Sequence, residues 1–108
     1  MDKFNDLRDL ALKVREEFED FESQKYGRSW DLKDLIMGLQ VDVGDLVRLV
    51  QEKDGIRPER SEELQDKIAH ELSDILWVVF VLSSKLHVDM QKSFVENMAE
   101  LQEFLKRG

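Results

Sequence analysis

The chain has 108 residues, a net charge of −8 and no cysteine. This length suits a single domain over residues 1–108, or one subunit of an assembly. The charge disfavours binding to nucleic acid polymers or anionic membranes, and the lack of cysteine excludes disulfides, zinc thiolates and a cysteine nucleophile. No signal-peptide pattern opens the chain and the longest apolar run has eight residues, so we expect a cytoplasmic location.

The first half of the chain predicts two helices. Apolar residues recur in steps of three and four from Phe4 to Phe21, which predicts a helix that ends near Gly27. Phe18 and Phe21 belong to this stripe and are expected in the core. Asp31 is a predicted N-cap for a second helix that runs from Leu32 to about Lys53.

The second half predicts two more helices and a self-association surface. A third helix should begin near Ser61 and reach Lys85 or Leu86, and Asp89 is a predicted cap for a fourth. The third helix contains an eight-residue run, 75–82, that is apolar on every side. A helix on the surface of a small monomer cannot bury such a run on every side, so we expect a homodimer or a pair of dimers. The fold class predicted is all-α, with a four-helix subunit.

Carboxylates interrupt two apolar seams at positions where a hydrophobic residue is due. The seams consist of Leu35, Leu39, Leu46 and Leu49 on the second helix, and of Leu64, Ile68, Ile75, Val78 and Leu82 on the third. Asp42 fills the gap in the first seam and Glu71 fills the gap in the second. Asp45 and Asp74 follow one turn later. Residues three or four apart share a helix face, so both acidic pairs should point inward.

Four carboxylates that converge on one interior require cations. Burial of an unpaired carboxylate costs several kcal/mol even after the protein relaxes. A hard divalent metal with oxygen ligands removes that cost, which makes Asp42, Asp45, Glu71 and Asp74 candidate metal ligands. The alternative is that each acid is a polar core residue that fixes helix register or partner choice.

The spacing and flanks of these acids resemble a known family. Asp42-x-x-Asp45, 25 residues and Glu71-x-x-Asp74 are similar to the E-x-x-E, spacer, E-x-x-D signature of the MazG-like all-alpha nucleotide pyrophosphohydrolases, which include the dCTP pyrophosphatases. Residues 41–46, VDVGDL, resemble the family's G-E-V-G-E-L, and residues 70–76, HELSDIL, resemble its E-L-A-D-V-L. YGRSW at 26–30 resembles the R-x-W that precedes the second helix, and LHVD at 86–89 resembles the G-I-D-L before the last.

The resemblance implies an enzyme that handles nucleotides. It implies hydrolysis of a nucleoside triphosphate to the monophosphate and pyrophosphate, with Mg²⁺, or alternatively Mn²⁺, held by the four acids. The same four residues would then be catalytic, and one of them would accept the proton of the attacking water. Such an activity removes unwanted or excess nucleotides.

This chain departs from the family at the first acidic pair and on the last helix. Asp42 and Asp45 replace glutamates, so each of these two side chains is one methylene shorter. Mg²⁺ demands near-ideal octahedral geometry, which leaves open a competing reading in which the chain is a non-catalytic helical binding protein that retains the scaffold. The family's lysine and asparagine on the last helix align with Asn97 and Leu101.

Three residues are candidates for substrate binding. Trp30 lies next to the start of the metal-bearing helix, where it could stack on a nucleobase; the alternative is a packing anchor that closes the loop. Asn97 occupies the position of the family's lysine, and Lys92 could supply the missing charge. Arg48, Lys53 and Lys67 are further substitutes, each of which is otherwise a solvated surface charge.

Overall fold

A computed structural model describes residues 3–55 and 63–108. These residues form four α-helices and no strand, which confirms the predicted all-α class: α1 (Lys3–Tyr26), α2 (Leu32–Lys53), α3 (Leu64–Lys85) and α4 (Met90–Arg107). The start expected for the third helix near Ser61 lies outside the described residues. None of the four helices combines the length and the apolar content that a membrane span requires.

Side-chain caps fix the beginnings of α2 and α4. The carboxylate of Asp31 accepts a hydrogen bond from the backbone N–H of Asp34 at 2.9 Å, and the Asp34 carboxylate accepts one in return from the N–H of Asp31 at 3.1 Å. This reciprocal pair is a capping box, which satisfies two backbone donors that the first turn leaves unpaired. Asp89 accepts from the N–H of Lys92 at 3.1 Å. Both predicted N-caps are confirmed.

The end of α3 is a Schellman motif built around a histidine. The N–H of Val88 donates to the carbonyl of Ser83 at 2.8 Å, and the N–H of His87 donates to the carbonyl of Ser84 at 3.2 Å. This pattern requires a left-handed residue at the position after the cap, where glycine is usual. His87 occupies it with a φ of 59°.

Replacement of His87 by glycine should stabilise the protein. The left-handed conformation costs a residue with a Cβ about 1–2 kcal/mol, and glycine avoids this cost. Glycine is also more flexible in the unfolded chain, which offsets part of the gain in stability. We expect His87→Gly to raise the free energy of unfolding by about 1 kcal/mol in urea denaturation. His87→Ala is the matched control, because alanine keeps the strain. A gain from alanine as large as that from glycine would contradict this explanation.

The core lies mainly between α2 and α3, which run antiparallel. One buried cluster joins Leu35 of α2 to Val78 and Val81 of α3, and a second joins Leu49 to Leu64 and Ile68. The predicted seams therefore face each other. The acidic residues of both helices fall between the two clusters, so the fold brings them into the middle of its most extensive interface.

Helix α1 packs on α3 less completely than its apolar stripe predicts. Trp77 of α3 donates its indole N–H to the carbonyl of Ala11 at 2.9 Å, and its ring contacts Phe18 with 5.6 Å between centroids. Phe18 and Phe21 nevertheless remain about half exposed. The expectation that they are core residues was wrong, because α1 does not close onto α2 at this end and leaves a cavity there.

Helix α4 projects from the other three and buries none of its residues. Its apolar side chains form one stripe, which we call the α4 face: Phe94, Met98, Leu101 and Leu105. Leu105 is 73% exposed. In the 75–82 run of α3, Val78, Phe80 and Val81 are buried, but Leu76 is half exposed.

Candidate metal centre

Three of the four predicted ligands come together between α2 and α3. Asp42 and Asp45 lie one turn apart on α2, and Glu71 faces them from α3. One carboxylate oxygen from each residue lies within 4.8 Å of the other two. Oxygen ligands of a single Mg²⁺ are about 2.9–4.2 Å apart, as follows from bond lengths of about 2.1 Å. The upper limit of 4.8 Å for the triad lies slightly above that spacing.

One oxygen of the triad has no hydrogen-bond partner among the residues that the structure describes. This atom is Oε2 of Glu71, which is buried. Burial raises the pKa of Glu71 above its ordinary value, and the neighbouring Asp42, Asp45 and Asp74 raise it further. Burial and the carboxylates of Asp74 and Asp45 likewise raise the pKa of Asp42. A buried oxygen without a partner, among like charges, is the condition that a bound cation relieves.

The other two carboxylates each have a partner within the chain. Asp74 lies 3.2 Å from Nε2 of His70, and it stands outside the group of three. Asp45, a member of the triad, accepts from Nη2 of Arg48 at 2.8 Å. Both pairs lie at least one-third exposed, so each is worth little and is readily exchanged for a metal. The assignment of Asp74 as a ligand stays a prediction.

An aromatic cavity of about 440 Å³ opens beside Asp42, and its lining reaches from α1 to α3. Five rings form its walls: Phe18, Phe21, Tyr26, Trp30 and Trp77. This volume is within the range of about 300–1,000 Å³ that is typical of small-molecule sites. The cavity suits a planar apolar group whose attached charge reaches the triad.

A buried ion pair lies in the wall of the aromatic cavity. Arg15 and Glu22 of α1 are 3% and 5% exposed and make two parallel hydrogen bonds of 3.2 Å. Arg15 also donates to the carbonyl of Trp30 at 2.9 Å, and Glu22 accepts from the N–H of Trp30 at 2.8 Å. The sequence reasoning missed this pair. Its signal was two opposite charges seven residues apart on the same face as Ala11.

A second, polar cavity of about 440 Å³ lies on the opposite side of the triad. Asp45 and Glu71 line it, together with the cations Arg48 and Lys67. Glu52, one heptad beyond Asp45, is also part of its wall and is 9% exposed, and its Oε2 has no partner in the described part of the chain. Sequence reasoning missed Glu52 as well, although it falls on the seam of α2. The carboxylates thus separate an aromatic chamber from a charged one.

The remaining substrate-binding candidates lie in different surroundings. Trp30 is 44% exposed and forms part of the aromatic cavity next to Asp42. Lys92 and Asn97 are exposed on α4, and neither lines the aromatic or the polar cavity. Of the substitutes for the lysine, Lys67 and Arg48 lie at the polar cavity, and Lys53 donates to Gln65 at 3.1 Å.

Comparisons of the chain with protein-family models, with curated proteins and with solved structures found no match. The likeness to the pyrophosphohydrolases therefore depends on the motifs in residues 26–30, 41–46, 70–76 and 86–89. The geometry of the triad and its two cavities is independent of that likeness.

Proposed function

We propose that this protein hydrolyses nucleoside triphosphates to monophosphate and pyrophosphate with Mg²⁺, or Mn²⁺, bound by its acidic residues. The observation that carries the proposal is the Asp42–Asp45–Glu71 triad, in which a buried oxygen of Glu71 lacks a partner within residues 3–55 and 63–108. The resemblance of the four-acid motif supplies the reaction class. The donor set also fits, because carboxylate oxygens are the ligands that Mg²⁺ prefers.

The reaction requires water to attack the α-phosphorus and the bond to the bridging α–β oxygen to break. The products are nucleoside monophosphate and pyrophosphate, and the proton of the water passes to a carboxylate. Bound Mg²⁺ supplies positive charge for the phosphates and lowers the pKa of an attacking water. Asp42, Asp45 and Glu71 hold and orient the reacting groups, and Asp74 joins them when it leaves His70.

The two cavities suggest how the nucleotide lies. The aromatic cavity takes the base, with Trp30 as a stacking surface. The triphosphate then passes the triad and enters the polar cavity. Four acids and the cations Lys67 and Arg48 line this cavity, so a bound metal would have to offset its negative charge. A chain with a net charge of −8 needs such local cations and a metal to accept a polyanion.

Pyrophosphate release from a panel of ribo- and deoxyribonucleoside triphosphates, with Mg²⁺ or Mn²⁺, tests the proposal. We expect wild type to release pyrophosphate, and Glu71→Gln and Asp45→Asn each to lose at least about 100-fold in kcat, since each removes a ligand that stabilises developing charge. Asp20→Asn is the control, because Asp20 is exposed on α1 and lines neither the aromatic nor the polar cavity. No release from any nucleotide would overturn the proposed function.

A specific observation favours a second candidate, a non-catalytic helical binding protein. Two of the four acids already have partners, Arg48 for Asp45 and His70 for Asp74. In this alternative the motif holds a metal or a nucleotide without turnover. Metal binding together with no pyrophosphate release would support it.

We also propose that the chain forms a homodimer or a dimer of dimers through the α4 face. Apolar residues at i, i+4, i+7 and i+11 line one side of α4 and have no cover among the described residues. A second copy is the favoured occupant, because its own α4 offers the same stripe in an isologous contact. Such packing would also place Lys92 and Asn97 beside another subunit.

Sedimentation velocity at micromolar protein concentration checks the assembly. We expect wild type to sediment as a dimer or tetramer and Leu101→Glu as a smaller species, because a buried unpaired carboxylate costs several kcal/mol. Glu100→Lys is the matched control next to the stripe. A monomeric wild type would refute the assembly, and so would an unchanged size of the Leu101 variant.

A further inference from the structure

We infer that the Arg15–Glu22 pair is a positioning device which holds Trp30 at the aromatic cavity, where its ring can stack on a nucleobase. The inference rests on the proposed function and deepens it, since it names the residues that position the base. Neither residue belongs to the acidic triad.

The pair acts on the backbone of Trp30 from both sides. Glu22 accepts the N–H of Trp30 at 2.8 Å, and Arg15 donates to its carbonyl at 2.9 Å. Two hydrogen bonds to one residue fix the peptide planes on either side of its Cα, so the direction of the indole is set from α1. The ring lies against Gly38 of α2, where an added Cβ would be 3.6 Å from Cζ3.

The same contacts occupy most of the hydrogen-bonding capacity of the pair. The guanidinium of Arg15 makes four hydrogen bonds, to Glu19, twice to Glu22 and to Trp30. Both oxygens of Glu22 have partners. The pair is therefore committed to holding Trp30, and the aromatic walls of the cavity offer stacking surfaces to a base.

A matched pair of variants tests the positioning role. Glu22→Ala removes the acceptor for Trp30, whereas Glu19→Ala removes the other carboxylate that Arg15 contacts, also at 3.2 Å, without touching Trp30. We expect Glu22→Ala to raise KM for every nucleotide about tenfold and to keep kcat, and Glu19→Ala to change KM less than twofold. Inhibition by inorganic tripolyphosphate, which has no base, should be equal in all three proteins.

The double variant Arg15→Met/Glu22→Leu covers the case in which Glu22→Ala does not fold. Replacement of a buried ion pair by apolar residues of similar size is often neutral for stability, so this variant should fold yet lack the hold on Trp30. It should raise KM for nucleotides as Glu22→Ala does. A folded double variant with wild-type KM would overturn the positioning role, and so would equal losses for nucleotides and tripolyphosphate.

A binding measurement separates failure of this inference from failure of the proposed function. Nonhydrolysable α,β-methylene analogues of ATP, GTP, CTP and UTP are titrated with Mg²⁺, and tryptophan fluorescence is recorded. Quenching that is lost in the double variant would uphold the inference even if no nucleotide is hydrolysed. Absence of quenching by every analogue, or equal quenching in the double variant, would overturn it.

Discussion

Saturating Mg²⁺ is expected to raise the melting temperature of the wild-type protein and to leave that of Glu71→Gln unchanged. A ligand that binds only the folded state at 100 times its Kd stabilises it by about 2.7 kcal/mol, which for a domain of this size corresponds to about 10 °C. Glu71 supplies the buried oxygen without a partner, so its neutral analogue should lose that response. Calorimetry with and without Mg²⁺ measures both values.

The same substitution should stabilise the metal-free protein, and the gain should depend on pH. Burial and neighbouring acids raise the pKa of Glu71 and of Asp42 in the folded state. The folded state therefore holds these protons more tightly than the unfolded chain, and stability is lost as pH rises through the raised pKa values. The uncharged amide of Glu71→Gln does not cause this loss. The free energy of unfolding of the variant should therefore exceed that of wild type by an amount that grows from pH 4 towards neutrality.

Two outcomes would contradict this account of the centre. One is a Mg²⁺ response in Glu71→Gln as large as in wild type. The other is a metal-free Glu71→Gln protein less stable than wild type at pH 7. Glu63→Gln is a suitable control, since it removes one negative charge from the N-terminal end of the same helix, away from the triad.

Arg15→Met is expected to destabilise the protein by about 3–5 kcal/mol, because it leaves the carboxylate of Glu22 buried without its partner. Arg15 is 3% exposed, and water cannot replace the lost hydrogen bonds. The free energy of unfolding of native proteins is about 5–15 kcal/mol, so the variant would lose a large share of its stability. Urea denaturation measures the difference, and the unfolding midpoint should fall accordingly.

Charge pairing, rather than loss of packing, is the reason for that effect. The double variant Arg15→Met/Glu22→Leu should therefore recover most of the lost stability, since neither charge remains. Arg8→Met is the control on the same helix, because Arg8 is paired with Asp9 on an exposed surface and should change stability by less than about 1 kcal/mol. A double variant as unstable as Arg15→Met would refute this explanation.

Much of the fold was predictable because local signals agree with tertiary packing. The caps at Asp31 and Asp89 and the glycine at 27 set helix ends that depend only on neighbouring residues. The two seams were predictable for the same reason, since periodicity reports which face is apolar. What periodicity does not report is whether a partner reaches that face. Phe18, Phe21 and the α4 face show this, because each has the pattern of a buried stripe and remains exposed.

The triad was predictable and the rest of the site was less so. Asp42 and Glu71 interrupt apolar seams, which is a signal carried by each helix alone. Rotamer choice decides where Asp74 and Asp45 point, and it depends on His70 and Arg48, which are their neighbours on the same helices. The contact of Glu22 with Trp30 crosses from α1 into the loop before α2, so neither helix pattern contains it.

The division of the site into two unlike chambers also bears on how products would leave. Under the proposed function, the nucleoside monophosphate would be held by ring contacts, which do not depend on ionic strength, in addition to its own phosphate charge. Pyrophosphate would be held by charge alone, beside Arg48 and Lys67, where added salt weakens binding. Release of pyrophosphate should therefore quicken with salt more than release of the monophosphate.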